Sequence, residues 1–299
     1  MDIALSLCWL FLAFPHMAET LLSDNFKECI SYFYKENPPA GFQGITGKPR
    51  YICQQFKGNI YFATLYDKEK RIPLYSAYIM GKKLTNNTNN RPKKFNVEPQ
   101  LVNKKLSANM RSVNETLDEI ITYNGKKNIK DTFKLLEESQ AVKRDYNGSG
   151  YTRGHLNPFG HHWEENSRKA TFTLTNVAPQ TEELNTNIWN KYETEMVTVA
   201  EGCTTMHVVT GTVPSKKWIR RNETQRVNIP SHAWSAYCCI GAGGRPIKSC
   251  AGIAPNNDSL IPVQNISVNA LQERLKGLLA ITGNIQLFNN NCAVNNTCG

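Results

Sequence analysis

Two adjacent cysteines, Cys238 and Cys239, sit inside "AWSAYCCIGAGG", a stretch that reads as a strand closed by glycines. Successive side chains of a strand point to opposite faces, so each cysteine needs its own partner. The chain has nine cysteines, and Cys8 lies in the apolar run from Ile3 to Pro15. That run ends near the small residue Ala18 and is too short for a comfortable membrane span. It reads as a secretory signal peptide over residues 1–18, although its first residues carry Asp2 and no Lys or Arg. Removing it leaves Cys29, Cys53, Cys203, Cys238, Cys239, Cys250, Cys292 and Cys298. An even set behind a signal peptide implies disulfides, and no CxxC pair suggests zinc. Cys29 and Cys53 alone precede the first hairpin and should pair. The other six should pair among themselves. N-x-S/T triplets begin at Asn86, Asn114, Asn147, Asn222, Asn257, Asn265 and Asn295, as in a secreted glycoprotein.

The length of residues 19–299 suits one large domain or two small ones, and the order of elements below reads as one. "GNIYFATLYDKEKRIPLYSAYIM" predicts a hairpin, Ile60 to Tyr66 and Ile72 to Met80. The charged segment from Asn103 to Lys143 holds one predicted helix, Glu115 to Tyr123, with Asn114 as its cap. "ATFTLTNVAPQ" alternates as a strand up to Pro179. "EELNTNIWNKYETEMVTVAE" follows as a helix, and "MHVVTGTVP" as a strand. "SVNALQERLKGLLAITG" is an amphipathic helix from Ser267 to Gly283. Hairpins interleaved with helices predict an α+β fold, a mainly antiparallel sheet flanked by helices. No stretch after the signal peptide approaches a membrane span.

The formal net charge is +10, and +11 once Asp2 leaves with the signal peptide. Such a surface suits an anionic partner: nucleic acid, a heparin-like glycan or a membrane surface. Cleaving a phosphodiester needs an activated water, charge stabilisation and help for the leaving oxygen. A neutral imidazole takes a proton near neutral pH. Mg²⁺ prefers oxygen ligands and keeps several waters, so one amide oxygen can anchor it. A guanidinium holds phosphate by a forked contact. Those needs select Arg153, His155, Asn185 and Glu193. On a regular helix Asn185, Trp189 and Glu193 would share one slowly drifting face.

"RGHLNP", "TFTLTNVAPQ" and "LNTNIWNKYE" together resemble the DNA/RNA non-specific endonucleases of the ββα-metal, or His-Me finger, class. Across roughly Phe26 to Cys292 the chain is similar to their secreted branch, the endonuclease domain-containing 1-like sequences. "RIPLYSAY", "EPQL", "TGTVP", the cysteine pair and "LFNNNC" carry that similarity. The resemblance implies a ββα-metal motif within the α+β domain. It implies His155 as general base, Asn185 as the single protein ligand of Mg²⁺ or Mn²⁺, and Glu193 as the residue orienting water. Arg153 would hold substrate, and Asn176 would support the histidine or the substrate. A further basic residue upstream falls on Arg91, Lys93 or Lys94. Thr152 stands where the family often has Asp.

Two functions follow. One is a secreted, Mg²⁺-dependent endonuclease that grips the DNA or RNA backbone without reading sequence. The other is a catalytically silent module on the same fold, binding nucleic acid or protein. His161 and His162 read as neighbours on a solvated polar loop, and Trp163, Trp189, Trp218 and Trp234 as core. His207 and His232 read as structural.

Overall fold

A computed structural model of the chain describes residues 22–23, 25–42, 44–81, 91–125, 128–292 and 298. The predicted signal peptide and the triplets at Asn86 and Asn295 lie outside the described residues.

The strands, in chain order, are β1 Leu22–Ser23, β2 Pro49–Phe56, β3 Asn59–Asp67, β4 Ile72–Ile79, β5 Thr152–His155 and β6 Val177–Gln180. They continue as β7 Thr205–Val213, β8 Lys217–Arg221, β9 Thr224–Ile229, β10 His232–Ile240, β11 Pro246–Pro255 and β12 Gln264–Ile266. The helices are α1 Val113–Asn124, α2 Ile129–Ser139, α3 Lys143–Tyr146, α4 Glu165–Ala170, α5 Asn190–Val199 and α6 Val268–Leu278. Eight strands form one sheet in the order β1-β2-β3-β4-β7-β10-β11-β12. Every neighbouring pair is antiparallel. The expected α+β domain with a mainly antiparallel sheet is therefore the fold observed. β5 pairs with β6 in a small separate sheet, and β8 pairs with β9.

Successive residues of the central strands β4, β7 and β10 are buried almost without break, so both faces of the large sheet are covered. Trp234 and Cys238 of β10 pack with Leu271 and Leu275 of α6. Ala233, one residue out of phase, packs with Trp189, Tyr192 and Met196 on the α5 side. The adjacent cysteines divide the same way: Cys238 bonds Cys292 and Cys239 bonds Cys203. Cys29 pairs with Cys53, and Cys250 with Cys298.

Several local expectations change. Ser112, not Asn114, caps α1, through a reciprocal pair with Glu115 that satisfies two free backbone donors. A second helix, α2, follows with Asn128 as its cap; its high charge concealed the apolar face formed by Leu136. "ATFTLTNVAPQ" is not one strand: a 3-10 turn at Leu174–Asn176 interrupts it, and β6 begins at Val177. Pro179 lies inside β6, where a two-stranded sheet tolerates a residue that cannot donate. α6 begins after its Ser267 cap, as expected, but ends at Leu278 rather than Gly283.

Candidate active site

The pair β5–β6 and the helix after it form a ββα unit against the large sheet. Alternation on β5 sends Arg153 and His155 into one cleft. Gly154 faces away, where a Cβ would lie 2.1 Å from the Gln180 side chain. That contact explains the glycine of the motif. Thr152 Oγ1 donates to the Gln180 carbonyl at 3.0 Å, tying the far end of the strand pair.

His155 is 8% exposed and lies between two rings, with Phe95 at 5.4 Å and Phe172 at 4.9 Å. Its Nε2 is buried without a hydrogen-bond partner among the described residues. Burial, then the charges of Arg91 and Arg153, pull its pKa down to about 3. The imidazole is therefore neutral. The arginines rest on the same aromatic floor. Arg153 lies 4.6 Å from the Phe95 ring centre, and Arg91 lies 5.5 Å from those of Phe159 and Phe172. Cation–π contact fixes each guanidinium without consuming its donors.

The helical segment across the cleft opens with a π-helical turn, Glu183–Trp189, before α5. Such turns are rare and shift the phase of the side chains that follow. Asn185 and Glu193 both line the cleft. Trp189, expected on their face, is instead 1% exposed and packs on Tyr192 with ring centres 5.2 Å apart. Burial pushes the Glu193 carboxyl up to about 8, while Arg91 and a hydrogen bond with Trp189 pull the other way.

Asn176 does not line the cleft. It is buried, accepts from Ser76 Oγ at 3.0 Å and from Asn157 N–H at 3.0 Å, and donates to the carbonyls of Asn157 and Thr171. It therefore holds the turn leaving His155. A buried polar chain runs on from Ser76 through Thr64, Gln54 and Thr175 to the carboxyl group of Glu98. Of the three upstream basic positions, Arg91 lines the cleft. Lys93 and Lys94 are exposed and lie outside its lining.

His161 and His162 are buried, contrary to the solvated loop expected. His161 Nε2 lies 2.9 Å from the Glu193 carbonyl, which can only accept, so its Nδ1 accepts from the Tyr78 hydroxyl. His162 Nε2 bonds Asn157 Oδ1 at 2.6 Å. His161 clamps the loop to β4 and α5, and His162 braces the loop internally. No local pattern in "GHHWEEN" revealed this, since both partners of His161 are distant in sequence. The phenylalanine floor was also missed; its only signal was aromatic residues standing beside basic ones in "RPKKF".

The cleft, about 650 Å³, thus joins Arg91, Arg153, His155, Asn185 and Glu193 from three separate stretches of chain. A profile of the family described as DNA/RNA non-specific endonuclease matches residues 44–291. The chain belongs to this family. It is 31% identical over 271 residues to Endonuclease domain-containing 1 protein of Homo sapiens, a match covering 89% of this chain and 48% of that protein. The Mus musculus protein of that name is 28% identical over the same span. The chain thus spans about half the length of these curated relatives. Mitochondrial Endonuclease G of Homo sapiens is 31% identical over 155 residues, 48% of this chain and 52% of that protein. Among solved structures, the EndoG/EndoGI complex superposes with a TM-score of 0.51 at 17% identity, covering 76% of this chain and 84% of that one. That likeness concerns the fold.

For an endonuclease of this family the group to fit is a divalent cation. The described residues contain no cluster of three or more His, Cys, Asp or Glu suited to a metal. The cleft instead offers the amide of Asn185 and the carboxyl of Glu193, with open space beside them. That donor set fits a hard cation that keeps most of its coordination for water and phosphate, as Mg²⁺ does, and not a soft or fully caged one.

Proposed function

We propose that this chain hydrolyses phosphodiester bonds in DNA or RNA without reading base sequence. The observation that carries the reading is the convergence of Arg91, Arg153, His155, Asn185 and Glu193 on one cleft. The Arg153 and Arg91 guanidiniums bind the phosphate and stabilise its added charge. Glu193 orients a water, and the neutral His155 takes its proton as the oxygen attacks phosphorus. The bond to the leaving oxygen breaks, and that oxygen takes a proton from solvent. Asn185 would hold Mg²⁺ or Mn²⁺, which when bound supplies positive charge to the phosphate oxygens. Asn176 acts at a distance, by fixing the turn after His155.

We also propose that the chain is a secreted glycoprotein. Four disulfides join its eight cysteines after Cys8, as an oxidising compartment permits. Among the described residues no helix is long and apolar enough to cross a membrane.

The test is incubation of purified protein with plasmid DNA and with RNA, in Mg²⁺ and in EDTA, beside a folded His155→Ala variant. Cleavage should need the cation and fall by roughly 10²–10⁴-fold in the variant. A wild-type protein that binds nucleic acid yet never cuts it would leave the silent binding module as the function.

A further inference from the structure

The cleft continues well past the groups that handle phosphate. Asn190, Glu193, Thr194, Val197 and Thr198 line it as one face of α5, and Glu201 follows just past the helix end. At about 1.5 Å per residue, the part of that face from Asn190 to Thr198 alone is roughly 12 Å long. One phosphodiester needs far less.

The two ends differ in chemistry. Arg91 and Arg153 stand at the His155 end. No Lys or Arg lines the far half, which carries Glu201 and neutral hydroxyls. A second phosphate gains nothing there. Trp163 also lines the cleft, and it borders a smaller adjoining pocket with Met80 and Met206. Trp189 and Trp234 are fully buried, whereas Trp163 keeps part of its ring open to the cleft. The ring is held from behind: a Cβ on Gly81 would come within 3.2 Å of its Cδ1, and Gly81 N–H donates to the His161 carbonyl at 2.9 Å. A partly exposed indole in a polar trough lined by no Lys or Arg suits the face of a nucleobase, since every base offers a π-surface.

We propose that the far half of the cleft is a nucleoside subsite in which Trp163 is the platform for one unpaired base next to the scissile phosphate, with Thr194 and Thr198 lining the same trough. This rests on the nuclease reading above and names its substrate class: a strand with an unstacked nucleotide, so single-stranded DNA or RNA ahead of an intact duplex. Bases stacked within a duplex do not reach a platform sunk in a cleft.

The experiment measures KM and kcat on a labelled single-stranded oligonucleotide and on the same sequence as duplex, for wild type, Trp163→Leu and Trp163→Phe. Each variant's rate on bis(4-nitrophenyl) phosphate, which carries no base, is its internal reference. Relative to that reference, Trp163→Leu should raise KM on the single strand by roughly 5- to 150-fold with kcat little changed, and Trp163→Phe should recover most of it. Thermal unfolding confirms that both variants fold. Equal single-strand KM for Leu and Trp, or a wild-type duplex KM as low as the single-strand value, would overturn the subsite. If wild type cleaves nothing, the nuclease reading fails by itself. Anisotropy of the labelled single strand with wild type and Trp163→Leu in EDTA then decides the platform: a weakened Kd supports it and an unchanged Kd ends it.

Discussion

The side chain of Asn176 forms a two-way pair with the backbone of Asn157, accepting its N–H at 3.0 Å and donating to its carbonyl at 2.9 Å. The amide mimics a strand edge and locks the turn two residues beyond His155. Both Asn176 atoms have second partners, Ser76 and Thr171. Asn176→Ala should therefore lose roughly 2–5 kcal/mol, because buried backbone groups are left unpaired. Asn176→Asp, though the same shape, should be no better, since a carboxylate oxygen would face two carbonyls. Urea unfolding of the three proteins decides the ranking. A wild-type-like Asp variant would show that the donor half of the pair is dispensable.

Glu193 gives the site its dependence on pH. Its carboxyl is pushed up to about 8, so without metal the ionised form dominates only above that pH, and the group takes up a proton and loses its charge as pH falls. His155, pulled down to about 3, stays neutral throughout that range and does not set the acid limb. Bound cation and the Arg91 charge both favour the carboxylate. The acid limb of kcat/KM should thus move to lower pH as Mg²⁺ rises, and to higher pH in Arg91→Lys if the shorter-reaching charge recedes. Profiles at two Mg²⁺ concentrations check the first shift; a limb fixed against Mg²⁺ would remove Glu193 from the role.

Glu98 should make stability fall as pH rises. It is buried, accepts from Thr173 Oγ1 at 2.8 Å, and has its pKa raised by burial from 4.5 to about 7. A raised carboxyl pKa means that the folded state holds a proton the unfolded chain has released. Its stabilising effect is complete below about 4.5 and lost as pH climbs through about 7. Glu98→Gln removes this dependence. Its stability relative to wild type should improve by up to about 3 kcal/mol between pH 4.5 and pH 8. Urea unfolding at the two pH values measures it; parallel loss in both proteins would place the titration elsewhere.

Lys93 and Lys94 lie outside the cleft yet close in sequence to Arg91. Lysines there would track the phosphate backbone beyond the scissile bond. In a His155→Ala background, neutralising both should reduce the salt slope of duplex binding by about two, with no change in preference among sequences. Heparin should compete. Affinity measured across a salt series checks this, and salt-independent binding would end the electrostatic account.

Much of the frame was legible because its signals are local. The hairpin β3–β4 shows in alternating β-branched and aromatic residues, α6 in its Ser267 cap and apolar stripe, and the two roles of Cys238 and Cys239 in strand geometry. The cleft residues Arg153, His155, Asn185 and Glu193 were legible through required chemistry and family order. What stayed hidden depends on distant partners. Asn176 and Leu174 leave the strand pattern for a 3-10 turn because Asn157, Ser76 and Thr171 satisfy the amide. His161 is buried because Tyr78 and Glu193 meet both its nitrogens. The π turn before α5 leaves no mark in the periodicity of "ELNTNIW", so Trp189 was given the wrong face.

The cross-links divide the chain unevenly. One closes residues 29–53, and the other three close loops within 203–298. Every side chain of the cleft, from Arg91 to Glu201, belongs to the intervening stretch, which no bridge spans. A protease that cuts once inside a bridged loop leaves its products covalently joined. A single cut anywhere from 54 to 202 severs the chain into two pieces held by packing alone. The working part is therefore the part that one proteolytic event can split, while a single cut inside a bridged loop leaves its products joined.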